Sequence, residues 1–125
     1  MNADSPAAGY REILLQRLVA AFNSCARSGD FAPCSDLFAD DAVMEFEGVP
    51  DWGPFEGKAA IIRRLSSEPP DDELQIRNWR DDGRSIHAQF IWRDLPEALG
   101  GALVLQGKDA KITHLIVAFG GPDVR

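Results

Sequence analysis

Two histidines and one dense group of carboxylates are the residues whose types and spacing could carry acid–base chemistry. His87 and His114 would exchange protons near neutral pH. The stretch LFADDAVMEFEGVP, residues 37–50, holds Asp40, Asp41, Glu45 and Glu47 among apolar neighbours, and Asp51 follows it. Such a group suits a general base, a metal site, or a helix end followed by the solvent side of a strand. By position, Asp40 and Asp41 end a helix and turn the chain, while Glu45 and Glu47 alternate away from Met44 and Phe46. Asp41, Glu45 and Asp51 then stand as carboxylates at the mouth of a pocket, and Asp41 joins His87 as a catalytic candidate.

Other chemistries are poorly served. Two histidines without a third ligand at helical or hairpin spacing do not make a zinc site. Asp40–Asp41 and Asp71–Asp72 are acidic pairs that read as solvated turns rather than calcium ligands. No glycine-rich phosphate loop follows a strand, and no nucleophile elbow is present. The expectation is therefore neither metal nor cofactor. Cys25 and Cys34 lack CxxC spacing and fall on apolar helix faces, so they read as buried free thiols in a reducing compartment.

These residues need elements to hold them. Leu14, Leu18, Phe22 and Cys25 recur at helical spacing, with Leu15, Val19 and Ala26 alongside. Ser5–Pro6 starts that helix and Gly29 stops it. Asp30 caps a second, short helix bearing Phe31, Cys34, Leu37 and Phe38 on its apolar face and ending near Ala39–Asp41. A strand follows over residues 42–47, then a Gly- and Pro-dense loop, GVPDWGPFEG, and a third helix beginning KAAIIRRL, with Ile61, Ile62 and Leu65 inward. LQIRNW, RSIHAQFIWRD, ALVLQ and KITHLIVAFG read as strands, with a tight turn at GKDA. In the second of these, Ile86, Ala88, Phe90 and Trp92 share one face, and His87, Gln89, Ile91 and Arg93 the other. Helices first and an antiparallel sheet last predict an α+β domain, residues 1–125, with a pocket on the concave side of the sheet.

Composition bounds the partners. The chain has 125 residues, 45% apolar and 26% charged, with a formal net charge of −7. An acidic surface disfavours nucleic acid and anionic membrane. No apolar run approaches the ~18 residues of a membrane span. The N-terminus MNADSPAAGY lacks the marks of a signal peptide, so the expected location is cytoplasmic.

LVAAFNSCARSGDFAPCSDLFADDAVMEF, then GPFEGKAAIIRRL, then KITHLIVAFG resemble, in order and spacing, the SnoaL-like branch of the nuclear transport factor 2 superfamily, from about Arg11 to Gly120. The resemblance implies a cone in which three N-terminal helices pack on a curved, mainly antiparallel sheet. It also implies a deep apolar pocket and a homodimer through the outer sheet face. Enzymes, ligand binders and association modules all share this fold, so function must come from the pocket.

The resemblance to ketosteroid isomerase allows a test. That reaction uses a carboxylate base with an oxyanion hole of tyrosine and protonated aspartate. The matching positions here are Phe22, Phe46 and, counted back from Ile112, Ala102. None carries a polar group, which argues against that chemistry. If Phe90 and Trp92 face inward, His87 faces outward unless a bulge shifts its strand; if Leu115, Val117 and Phe119 face inward, so does His114 face outward. Arg93 and Asp94 are weak candidates for an Asp–Arg–Asp site of the limonene epoxide hydrolase type.

The expected lining is Leu18, Phe22, Phe46, Trp52, Phe55, Phe90, Trp92, Leu115, Val117 and Phe119. It suits a small, flat apolar organic ligand. The expected activity is an isomerase, cyclase or dehydratase acting on a polyketide- or terpenoid-like molecule. The alternative is a non-catalytic ligand-binding or association protein.

Overall fold

The computed structural model describes residues 6–48, 51–67 and 72–119. A long helix, α1 (Pro6–Ser28), leads into a 3-10 turn (Ala32–Leu37) and strand β1 (Phe38–Glu47). Then come a short strand β2 (Phe55–Glu56), helix α2 (Lys58–Ser67), and strands β3 (Leu74–Asp81), β4 (Ile86–Trp92), β5 (Gly101–Lys108) and β6 (Lys111–Phe119). The six strands form one sheet in the order β2-β1-β6-β5-β4-β3. All neighbours are antiparallel except β1 and β6. The parallel pair brings the strand that follows the first helices beside the last strand.

Leu14, Leu15 and Leu18 of α1 bury their side chains against Ile86, Ala88, Phe90, Leu103, Leu105 and Leu115 of the sheet. Removing this apolar area from water is the main stabilising contribution. Two polar contacts fix the helix across β3. The Arg11 Nε–H donates to both Asp81 oxygens at 3.0 Å, with side chains only 11% and 7% exposed. Nearer the other end of α1, Asn23 donates to the Leu74 carbonyl at 2.9 Å and accepts the Leu74 N–H at 2.8 Å. Gly29 ends α1 as expected: its φ is +80° and its N–H returns to the Cys25 carbonyl at 2.7 Å. The proposed start at Ser5 lies outside the described residues.

The second helix is shorter than the sequence suggested. It is a 3-10 turn ending at Leu37, so Phe38 opens β1 instead of closing a helix. Asp40 and Asp41 accordingly lie within a strand. Between Phe38 and Val43 the pairing with β6 slips, because Phe38 faces Ile112 while Val43 faces His114. The bulge holds both aspartates out in solvent, and Asp40 Oδ1 meets Lys58 Nζ at the start of α2 at 3.2 Å. Alternation alone did not reveal the bulge. β2 was also missed, since two residues inside a loop leave no periodic signal.

Among the described residues no helix is long and apolar enough to cross a membrane.

Candidate functional site

The concave side of the sheet, α1, the 3-10 turn and α2 enclose a cavity of about 500 Å³. That is the size of a small-molecule site. Of the expected lining, Leu18, Phe22, Phe46, Trp52, Phe90, Trp92, Leu115, Val117 and Phe119 all reach it. Phe55 stands one ring behind, with its centroid 6.1 Å from that of Phe46. Strand alternation explains the hits: Met44 and Phe46 of β1, Phe90 and Trp92 of β4, Leu103 of β5, and Leu115 and Val117 of β6 all face the same way.

Aromatic rings build two walls. Phe46 meets Trp52 edge-on at 5.4 Å and stacks on Phe119 at 5.8 Å, with 13° between the planes. On the other side Trp92 packs edge-on against Phe90 at 5.3 Å and near Phe22 at 6.5 Å. Such pairs favour a fixed ring geometry over a collapsed one.

Cys34, Phe38, Met44, Arg64, Leu65, Asp72, Leu74, Leu95 and Leu103 complete the lining and were not foreseen. Leu65 was already expected to face inward from α2; Arg64, one turn on from buried Ile61, reaches the same rim. Asp72 and Leu95 come from loops, where no period exists to read.

Neither histidine lines the cavity. His87 lies on the opposite face of β4, with Nε2 2.9 Å from Asp82 Oδ2. Its strand pairs with β5 without a break from Ile86 to Phe90. The bulge that could have turned His87 inward lies instead in β3, between Ile76 and Asn78. Asp82 is held well below the usual carboxylate range, first by the N–H groups of Ser85 and Arg84 and then by His87. His114 also faces outward, with Nε2 2.5 Å from Glu45 Oε2 on neighbouring β1. Asp41, Glu45 and Asp51 are likewise absent from the lining.

The isomerase comparison needs one correction. The residue of β5 that faces the cavity is Leu103, and Ala102 faces away beside Gln89 and Ala118. Pairing of β5 with β6 also slips between Gln106 and Gly107, which leaves Thr113 of β6 without a partner residue. Leucine has no polar group either, so all three tested positions remain apolar.

Arg93 and Asp94 do approach a third acid. Arg93 Nε lies 3.4 Å from Asp94 Oδ1 and 3.9 Å from Asp72 Oδ1. Asp72 alone of the three lines the cavity, while the Arg93 and Asp94 side chains are 53% and 70% exposed. The Asp72 carboxylate accepts the Glu73 N–H at 2.7 Å and the Asp94 N–H at 3.0 Å. These bonds tie the loop before β3 to the one after β4.

Cys34 of the lining and Cys25 behind it are buried free thiols with sulfurs 3.3 Å apart. Burial, and then the hydrogen bond shared with Cys25, push the Cys34 thiol up to about 12. Among the described residues no three His, Cys, Asp or Glu side chains gather as a metal-binding group.

No family model matches the chain, and neither does any curated protein. Solved structures do. An NTF2-like protein from Anabaena variabilis superposes with TM-score 0.70 at 15% identity, over 97% of this chain and 95% of that one. An NTF2-like protein of unknown function from Mesorhizobium loti gives TM-score 0.67 at 18% identity, over 96% and 98%. An LEH-like epoxide hydrolase from M. tuberculosis gives 0.58 at 20% identity, over 82% and 80%. At such identities the likeness speaks for the backbone alone, and the chain adopts the nuclear transport factor 2-like α+β fold.

Proposed function

We propose that this protein, as a SnoaL-like member of its superfamily, binds a small apolar organic molecule in the concave cavity. One observation carries the reading: a cavity of about 500 Å³ whose lining is apolar or aromatic except for Cys34, Arg64 and Asp72. A polar or hydrated ligand would lose hydrogen bonds there that the walls do not replace. Non-catalytic binding is favoured over isomerase, cyclase or dehydratase activity because His87 and Asp41 stand outside the lining. If the protein does act on a polyketide- or terpenoid-like substrate, Asp72 is the better-placed acid, and its own backbone bonds must first loosen. The reading includes a homodimer through the outer sheet face, where Val104, Ile116 and Ala118 are half-buried, and a cytoplasmic setting that keeps the two thiols reduced.

The test is a thermal-shift survey of apolar aromatic and terpenoid molecules against the wild type and Val117→Trp, which sets an indole in the middle of the cavity wall. A ligand at about 100 times its Kd adds about 2.7 kcal/mol, or a Tm rise of roughly 10 °C for a domain of this size. That rise is expected in the wild type and not in the variant. Equal shifts in both proteins would move binding to another surface, and no shift from any compound would remove the reading.

A further inference from the structure

Cys25 and Cys34 are nucleophilic side chains that the binding reading leaves unused. They belong to different elements, Cys25 to α1 and Cys34 to the 3-10 turn. Both are nearly sealed from solvent, at 3% and 2% exposed, yet their sulfurs touch at 3.3 Å. Phe31 packs with them as one small core, flanked by Phe22, Ile62 and Leu65. They differ on one side: Cys34 lines the cavity, and Cys25 stands behind it. A disulfide places its sulfurs about 2 Å apart, so a short movement separates this contact from a bond. Cys34 rides on a six-residue turn and Cys25 on a 23-residue helix, so the turn is the part that gives.

We propose that Cys25 and Cys34 form a redox-sensitive pair, in which a peroxide that enters the cavity oxidises Cys34 and Cys25 then closes an intramolecular disulfide. In the first step the Cys34 thiolate attacks one peroxide oxygen and the O–O bond breaks. The other oxygen leaves and, with the thiol's proton, becomes water. Sulfur is oxidised to a sulfenic acid and the peroxide is reduced. The Cys25 sulfur then attacks that of Cys34, the S–O bond breaks, and hydroxide departs with the Cys25 proton as a second water. Two thiols and one hydrogen peroxide give one disulfide and two waters. The first step is slow, because burial keeps Cys34 as the neutral thiol and the thiolate is the nucleophile. The second is fast, because the resolving sulfur is already in contact, and it spares Cys34 from further oxidation. The bridge ties the end of α1 to the turn that leads into Phe38 of the lining. The pair reacts in this way whether or not the cavity takes an organic ligand.

The experiment exposes the native protein to hydrogen peroxide at pH 7, blocks remaining thiols with N-ethylmaleimide in denaturant, and maps tryptic peptides without reduction. Cleavage after Arg17, Arg27 and Lys58 puts Cys25 in peptide 18–27 and Cys34 in peptide 28–58. The two peptides should appear joined, with the chain still single on a non-reducing gel, and should separate with dithiothreitol. The bridge should form roughly 100-fold more slowly than the thiols of the denatured chain are consumed. It should raise the Tm of the wild type by roughly 5–10 °C. Cys25→Ala and Cys34→Ala, which carry the same methionines, should show no such rise. With dimedone present, Cys25→Ala should be tagged at Cys34, while Cys34→Ala should stay untagged at Cys25. Wild-type thiols still open to N-ethylmaleimide after about ten times the expected interval would overturn the inference. So would a link found only between chains, or Cys34 carried to sulfinic acid without joined peptides. Equal tagging of Cys25 in Cys34→Ala would overturn it as well, because the cavity would then not be the route.

Discussion

Cys34 joins two environments: its side chain lines the cavity, and its sulfur touches that of Cys25. Burial raises its pKa, so the folded state favours the neutral thiol. Linkage then has a definite sign. The associated stability is complete below the ordinary thiol range and is lost as pH rises from there toward about 12. The same burial protects the thiol from reagents. Alkylation of Cys34 by iodoacetamide at pH 8, followed by mass spectrometry, should be ~100-fold slower in the native protein than in denaturant. Comparable rates would show that the 3-10 turn opens freely. The sequence placed both cysteines on apolar faces and so made them buried, but their contact arises from a turn whose helix type could not be read from spacing. Arg64 illustrates the same limit. Helical periodicity brings it to the inner side of α2, yet its partner Trp52 comes from a loop without any period.

Elements followed from periodicity wherever they were regular. α1, α2 and β4 lie where their apolar spacing put them, because burial on one face demands that spacing. Errors came at bulges. Asp40 and Asp41 sit in the slipped segment of β1. A bulge changes parity without changing composition, so alternation reads correctly on each side of it and wrongly across it. Close strand approach leaves a sharper mark. A Cβ at Gly101 would lie 2.3 Å from the Ala118 carbonyl oxygen and 2.8 Å from Phe90 Cζ. The first is backbone and cannot step aside. Gly101→Ala should therefore destabilise by about 1–3 kcal/mol in urea unfolding, with β5 and β6 forced apart. An unchanged midpoint would mean that the sheet is looser there than it looks.

For the molecule as a whole, the fold was legible because many weak motifs fell in the right order. The charged groups of the cavity were not, since Arg64 and Asp72 are single residues at its rim. The outer sheet face is the surface proposed above for a homodimer. Ile116 lies there between inward-facing Leu115 and Val117, half-buried beside Val104 of β5. If two copies meet through it, light scattering at micromolar concentration should give twice the 13.7 kDa chain mass. Ile116→Glu, which buries like charges at a twofold contact, should return the single-chain mass. A wild type that scatters as one chain would dismiss the dimer and leave the cavity unaffected.

The placement of the three tryptophans makes the protein its own indicator. Trp52 and Trp92 line the cavity, Trp52 lying beneath the Arg64 charge, while Trp79 stands 42% exposed on β3 in the groove beside α1. Intrinsic fluorescence is thus divided between two emitters that any occupant must touch and one that it cannot reach. An entering ligand would quench or shift the first two against a constant third, so occupancy is readable from the native chain without a label.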